Sequence, residues 1–288
     1  MPSRPAVPPG NAWRSAGEAA RERLSERPVA AVVLGSGLDA VAEGVDVEVE
    51  IPYAELPGFP SPTVPGHAGR LAFGRLRGLP LLVFRGRIHL YEGHGAAASA
   101  LPSVLSWALG ARAVVLTAAV GSLVPDLAPG SLAVCADHLN LLREDVLRGW
   151  TREDGSPAFV DLSDVYDPEL ADLAAGVRTT EPAAPAITTL RRAVYAAVPG
   201  PSFETRAEAE YLRRIGATVV GMSLVPEAVP ARALDLRVLG LLSVANAVGV
   251  EVSHEAVLEA TGGTVGAVVD ILTEVLSRLA EAEPDRET

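Results

Sequence analysis

The segment spanning residues 85–93 places three side chains that could bind an anion and a sugar at alternate positions. In an extended chain, Arg87, His89 and Tyr91 would point to the same side. A guanidinium and an imidazole donate charge-assisted hydrogen bonds to phosphate, and a phenol suits a neighbouring sugar hydroxyl. A solvated charged strand would show the same alternation, but a Gly-rich helix start, His94-Gly95-Ala96, follows here in place of a hairpin turn. The pattern indicates a phosphate and sugar site.

Three further loops hold polar donors among small residues. In Gly35-Ser36-Gly37 the glycines let backbone N–H groups approach an anion and Ser36 adds a hydroxyl, although a tight turn uses the same residues. His67 lies in a loop rich in Pro and Gly, where a lone His is usually a surface residue. Ser223 follows directly on a predicted strand. Each of these loops is a weak signal by itself.

Two segments could read the edge of an apolar ring. Phe203 could cover the face of such a ring while Glu204 accepts hydrogen bonds from ring N–H groups. The ordinary alternative is a helix start, with Ser202 or Thr205 as N-cap and Glu204 as an acid favoured by the helix dipole. Asn246 ends a long apolar run, where a carboxamide needs a hydrogen-bond partner that a ligand would supply.

The secondary-structure elements that must position these residues predict an α/β fold. Nine short β-rich runs are predicted as strands, at 29–34, 45–51, 70–76, 80–84, 113–116, 132–136, 193–198, 218–222 and 238–245. Helical spacing predicts helices at 12–26, 204–215 and 255–280, the last broken at Gly262-Gly263. No linker or repeat divides the chain, so we expect one domain over residues 1–288, with frayed ends at about 1–10 and 284–288. Strands 113–116 and 238–245 are apolar throughout, which predicts a mixed sheet buried on both faces between helices.

Composition narrows the possible functions. All 24 basic residues are Arg, which excludes the Walker P-loop, Schiff-base chemistry and kinase-type phosphate handling, since each needs a Lys amine. The 36 acidic residues give a formal net charge of −12, which disfavours a nucleic-acid partner. The longest uncharged stretch, 93–111, is too mixed to span a membrane, and the N-terminal residues lack the apolar core of a signal peptide. With Cys135 as the single cysteine, these features predict a cytoplasmic protein.

Together and in this order, the segments resemble the trimeric, low-molecular-mass purine nucleoside phosphorylase family, which includes methylthioadenosine phosphorylase. The resemblance covers roughly residues 34–260. The matching stretches are LGSGL at 34–38, VPGHAG at 64–69, GRIHLYEG at 86–93, GPSFET at 200–205, VGMSLVPE at 220–227 and SHEAVLEA at 253–260.

The resemblance implies a role for each residue. The implied phosphate ligands are Ser36, Arg87, His89, Ser223, the backbone N–H of Ala119, and His67 over the mouth of the site. The implied nucleoside contacts are Tyr91 and Met222 on the ribose, His254 near the 5′-hydroxyl, and Phe203, Glu204 and Asn246 on the purine. His89, Glu204 and Asn246 would act in catalysis. The family implies a distorted mixed sheet in one α/β domain, a homotrimer, and no metal or organic cofactor, with phosphate as co-substrate.

Asn246 and two departures bear on the substrate. Relatives that favour 6-amino purines generally have Asp where Asn246 stands, so the resemblance implies inosine and guanosine. Where the family commonly reads TNAAGG, this chain has Ala118 in place of the Asn, and it ends the segment in Gly121-Ser122, as the methylthioadenosine branch does. Methylthioadenosine phosphorylase is therefore the first alternative, and a catalytically weak nucleoside-binding paralogue is the second. Trp150 and Phe159 are both candidates for the aromatic residue that the family lends to a neighbouring subunit's site.

Overall fold

A computed structural model of the chain describes residues 5–177, 190–249 and 254–282, and the side chains of His254 and Glu255 fall outside that description. All nine predicted strands are present within it. They are β1 (Ala30–Val33), β2 (Asp46–Pro52), β3 (Arg70–Leu76), β4 (Leu79–Arg85), β5 (Ala113–Ser122), β6 (Leu132–Asn140), β7 (Arg191–Ala197), β8 (Val219–Gly221) and β9 (Arg237–Ala247).

Five of the strands close into a small barrel. Strand β5 pairs with β8 and β9, β8 pairs with β7, β7 with β6, and β6 with β9, so the hydrogen-bonded ring is complete. The other four strands extend from β5 in the order β1, β4, β3, β2. Parallel and antiparallel pairings both occur, which confirms the predicted mixed sheet. Closure of one end into a barrel goes beyond that prediction.

Helices cover the sheet. They are α1 (Ala12–Arg21), α2 (Ala96–Ser99), α3 (Leu101–Ala108), α4 (Pro168–Gly176), α5 (Arg206–Arg214), α6 (Val225–Ala233), α7 (His254–Gly262) and α8 (Val265–Glu281). The predicted break at Gly262-Gly263 separates α7 from α8. Helix α8 buries one apolar stripe, including Val268, Ile271 and Val275, in the core beside α4 and the sheet.

The N-terminal segment is better anchored than predicted. We expected residues 1–10 to fray, but Ala6 is buried and its N–H donates to Ala233 O, while the N–H of Val7 donates to Thr151 O. The prediction is wrong for these residues because their backbone groups have partners on two other segments. Residues 1–4 and the predicted frayed end at 284–288 lie outside the described part of the chain.

Over the described residues, no single helix is both long and apolar enough to cross a bilayer. One bent pair, Ala256–Gly262 with Val265–Glu281, reaches the required length and composition only when its two halves are counted together.

Candidate functional site

Ten of the twelve predicted site residues line one cavity. The lining side chains and backbone groups belong to Ser36, Arg87, His89, Tyr91, Ala119, Val120, Gly121, Phe203, Glu204, Val220, Gly221, Met222, Ser223, Ala245, Asn246 and Val257. His67 lies beside the cavity in contact with Ser36 and His89, as described below. The remaining residue, His254, begins α7, but its side chain lies outside the described residues.

Strand direction explains why these residues meet. Strands β4, β1, β5 and β9 run parallel to one another, so their carboxyl ends lie at the same edge of the sheet. Arg87 follows β4, Ser36 follows β1, Ala119 lies in the last part of β5, and Asn246 lies at the end of β9. Segments remote in sequence therefore converge on one edge.

Thr117 holds the loop that carries Ser36. Its hydroxyl donates to Val33 O at 3.0 Å and accepts from the Gly35 N–H at 2.9 Å. A Cβ atom on Gly35 would stand 2.8 Å from Thr117 O and 3.3 Å from Arg87 Nη1. Gly35 is therefore required for close packing, in addition to any turn that it forms.

Arg87 is buried and lines the cavity. Its Nη1 donates to Thr117 O at 2.7 Å and to Ser223 Oγ at 3.1 Å. Its Nε donates to Glu227 Oε1 at 3.2 Å, and its Nη2 lies 3.1 Å from Glu227 Oε2. Burial raises the pKa of Glu227, and the charge and hydrogen bond of Arg87 oppose that shift.

His67 reaches the site because Gly86 has no side chain. Gly86 has a φ of +105°, and a Cβ there would lie 2.6 Å from His67 Cβ. The N–H of Arg87 donates to His67 Nδ1 at 3.3 Å, so the proton of the neutral ring is on Nε2. His67 Nε2 then donates to Ser36 Oγ at 3.3 Å, which leaves the Ser36 hydroxyl proton available for an anion.

A carboxylate orients His89. Glu92 Oε1 accepts from the His89 N–H at 2.7 Å and lies 3.1 Å from His89 Nδ1. Glu92 Oε2 accepts from the N–H and hydroxyl of Thr63 at 2.6 and 2.7 Å, which ties in the loop that carries His67. Burial opposes ionisation of Glu92, but the hydrogen bonds from His89 and Thr63 outweigh it and lower the pKa to about 2.

The local backbone differs from the predicted extended segment. Strand β4 ends at Arg85, and Leu90–Glu92 form one turn of 3-10 helix. The predicted extended conformation is therefore wrong, although the three side chains do meet at one site as expected. The His89 and Tyr91 rings stack with centroids 4.7 Å apart, and both residues line the cavity with Arg87.

The candidate ring-binding residues line the same cavity. Thr205 is the N-cap of α5 and shares a capping box with Glu208, as the ordinary interpretation of this segment predicted. Glu204 nevertheless lines the cavity. Burial raises the pKa of Glu204, a backbone hydrogen bond opposes that shift, and the charge of Glu208 adds to it. Phe203 is 57% exposed at the rim. Asn246 is fixed at the barrel wall because its backbone is in register with Gly121 on β5.

Of the residues that depart from the family pattern, Ala118 and Ser122 lie outside the cavity lining, whereas Gly121 lines the cavity. Ala118 is fully buried in the core, and Thr117–Ser122 continue strand β5 instead of forming a loop. The hydroxyl of Ser122 donates to Val124 O at 2.7 Å and so serves a local turn. Of the two aromatic candidates, Trp150 is 4% exposed and packs in the core, whereas Phe159 is 84% exposed.

Sequence reasoning missed four residues that position the site: Thr117, Glu92, Glu227 and Tyr195. Tyr195 is fully buried, and its hydroxyl accepts from the Ser223 N–H at 3.1 Å. Glu92 and Glu227 stand inside the matching motifs GRIHLYEG and VGMSLVPE. The signal that could have identified them is an acidic residue close in sequence to cationic or hydroxyl-bearing site residues. Among the described residues, no group of three or more His, Cys, Asp or Glu side chains could hold a metal ion.

The fold and cavity match those of known proteins. A family model described as "Phosphorylase superfamily" matches residues 29–278, so the chain belongs to that superfamily. The chain is 41% identical over 263 residues to the purine nucleoside phosphorylase of Mycobacterium tuberculosis, covering 90% of this chain and 92% of the relative. Two solved purine nucleoside phosphorylase structures are each 30% identical to it. One, from Schistosoma with hypoxanthine, has a TM-score of 0.83 and covers 93% of this chain and 96% of its own. The other, from Schistosoma mansoni with adenosine, has a TM-score of 0.81 and covers 97% and 99%.

Within the superfamily, these matches make the chain a member of the purine nucleoside phosphorylases, which are pentosyltransferases.

Proposed function

We propose that the chain cleaves the 6-oxopurine nucleosides inosine and guanosine, and their deoxy forms, with inorganic phosphate. The products are the free base and (deoxy)ribose 1-phosphate, and the reaction is reversible. The observation that carries the proposal is one cavity lined both by anion donors and by Phe203, Glu204 and Asn246.

The anion donors of the cavity suit a dianion. Ser36, Ser223 and the N–H of Ala119 supply neutral donors, while Arg87 and His89 supply charge-assisted ones. Phosphorolysis passes through a ribosyl cation, so a bound phosphate both stabilises the developing charge and attacks C1′. Because phosphate is itself the nucleophile, no metal or organic cofactor is needed.

The candidate purine contacts support departure of the base. The base leaves as an anion unless N7 is protonated or hydrogen-bonded as the glycosidic bond breaks. The Asn246 amide can donate to N7 while approaching O6, and the Glu204 carboxylate can accept from N1–H and a 2-amino group. Phe203 would cover the ring.

A substrate panel tests the proposal. Inosine, guanosine, adenosine and methylthioadenosine are each incubated with and without phosphate, in the presence of EDTA, and free base is measured. We expect phosphate-dependent cleavage with inosine and guanosine preferred. A preference for methylthioadenosine would establish the first alternative instead, and nucleoside binding without cleavage would establish the second.

Glu92 should hold His89 in the orientation that binds phosphate. We expect Glu92→Gln to lower kcat/KM for phosphate by roughly tenfold to a hundredfold, since hydrogen bonds to a charged group contribute about 1.5–3 kcal/mol. Glu55→Gln is the matched control, because Glu55 is exposed and forms a surface ion pair with the exposed Arg23. An unchanged phosphate dependence in Glu92→Gln would reject this role.

The same substitution has a defined pH signature. The folded-state pKa of Glu92 is about 2 against an ordinary value of 4.5, so its ionised form stabilises the fold above about pH 4.5. That contribution is lost as the pH falls through about 2. The difference in Tm between wild type and Glu92→Gln should therefore be constant from about pH 8 to pH 5 and shrink below about pH 4.5. A difference that grows on acidification would contradict the assignment.

We also propose that three copies associate and that Phe159 contributes to a neighbouring copy's site. Its 84% exposure supports this, because a large aromatic side chain in water is typical of an interface, whereas the burial of Trp150 argues against that residue.

Light scattering and nucleoside kinetics test the assembly. We expect a trimer mass, and for Phe159→Ala a rise of about tenfold in nucleoside KM with phosphate KM little changed. Leu162→Ala, which alters a nearby, partly exposed apolar residue, is the control. A fully active monomer, or Phe159→Ala with unchanged nucleoside KM, would overturn the proposal.

A further inference from the structure

A buried ion pair lies directly behind the proposed phosphate position. The side chains of Arg87 and Glu227 are 2% and 3% exposed, and they face each other with two nitrogen–oxygen contacts of 3.2 and 3.1 Å. Arg87 is the cation that the phosphate proposal relies on. Glu227 does not line the cavity described above, and together with Arg87 it lines a second, smaller one.

The backbone fixes this pairing. Leu224 has φ +65° and ψ −58°, and the N–H of Val225 donates to Ser223 O at 2.8 Å, which makes a γ-turn centred on Leu224. Such a turn is strained for a residue with a side chain, and strained turns cluster at functional sites. The turn starts α6 so abruptly that Ser223 Oγ and the Glu227 carboxylate both contact the Arg87 guanidinium.

Glu227 is held independently of any ligand. Its N–H donates to Leu224 O at 3.1 Å, and its carbonyl accepts from the Ser103 hydroxyl on α3 at 2.8 Å. These bonds fix the Glu227 backbone, from which the buried carboxylate reaches Arg87. Since the pair is buried together, a dianion in the cavity would meet a guanidinium whose charge is already offset.

We propose that Glu227 is a positioning residue that offsets the charge of Arg87 and so weakens the grip of the site on phosphate. The bound dianion is then held through a hydrogen bond from the Ser223 hydroxyl, whose oxygen accepts from Arg87 Nη1, without being over-stabilised as a nucleophile. This inference rests on the proposed phosphorolysis. It adds to that proposal a role for Glu227, an acid that does not contact the substrate: its charge weakens phosphate binding.

Direct phosphate binding to the full chain, measured by calorimetry at about pH 7.5 without nucleoside, tests the inference. Glu227→Gln keeps the shape and one acceptor but removes the compensating charge. We expect its Kd for inorganic phosphate to fall about tenfold while kcat also falls. A packing defect would instead raise Kd. Glu227→Asp keeps the charge and should not tighten binding.

The control is Glu48→Gln, which removes the same charge from an acid on the edge strand β2 that pairs with Arg75 on β3. It should leave the Kd for phosphate within about twofold. Should Glu227→Gln fail to fold, Arg87→Gln and the double variant Arg87→Gln/Glu227→Gln are compared, and the double variant should bind phosphate at least tenfold more tightly. Unchanged or weaker phosphate binding on loss of the Glu227 charge would overturn the inference. Wild type that binds no phosphate would instead overturn the proposed function.

Discussion

Arg87→Ala is expected to give the largest loss of any single substitution, in both stability and phosphate use. Removing the guanidinium leaves the Glu227 carboxylate buried without its counter-charge, and breaking a buried pair in this way costs about 3–5 kcal/mol. The variant also lacks the donor to Ser223 Oγ, so kcat/KM for phosphate should fall by roughly two powers of ten. Thermal unfolding and steady-state kinetics measure the two effects.

The pH dependence of the Arg87→Ala defect identifies its cause. Burial already raises the pKa of Glu227, and removing Arg87 removes the interaction that opposes the shift. An acid with a raised folded-state pKa stabilises the fold most below its ordinary pKa, and that contribution is lost as pH rises through the raised value. The loss of Tm in Arg87→Ala should therefore be smaller at about pH 5 than at about pH 8. A loss that is independent of pH would mean that Glu227 is not the source.

Asn246→Asp is expected to narrow or reverse the preference for inosine over adenosine. The amide of Asn246 can donate to O6 or N7, whereas an ionised carboxylate can only accept, as it would from a 6-amino group. Each mismatched buried hydrogen bond costs about 1–3 kcal/mol, so the ratio of kcat/KM values should shift by roughly one to two powers of ten. The backbone pairing of Asn246 with Gly121 should hold the residue in place, which separates this effect from a fold defect.

The measurement is kcat/KM for inosine, guanosine and adenosine at saturating phosphate in wild type and variant. Glu204→Gln is the companion variant and should weaken inosine and guanosine more than adenosine, which has no N1–H. Wild type that already prefers adenosine, or an Asn246→Asp ratio equal to that of wild type, would show that Asn246 does not read the purine edge.

Local pattern was sufficient for the strands but not for the closure of the barrel. The runs that end before Ser36 and Asn246 are apolar and bounded by glycine or polar residues, so their positions follow from sequence. Strand β5 was predicted only to Leu116, because the following segment is small and Gly-containing and has the composition of a loop. Its pairing with β9 depends on a partner more than a hundred residues away, which no local window contains.

The site shows the same division. Arg87 and His89 stood out because their side chains are cationic and sit beside glycine. Their partners Glu227 and Glu92 were not predicted. Sequence separation does not explain this, since Glu227 is 140 residues from Arg87 but Glu92 is only three from His89. An acid in a motif does not reveal which base it will face, since that depends on how strands and helices are packed.

The convergence of remote strand ends on one cavity links occupancy of the site to folding. Arg87 and Ser223, 136 residues apart, are joined only in the folded chain, so an unfolded chain offers phosphate or nucleoside no comparable site. A ligand that binds only the folded state stabilises it by mass action, by about 2.7 kcal/mol at a hundred times its Kd. The concentration of substrate around the protein therefore also sets how long the chain survives heat and proteolysis.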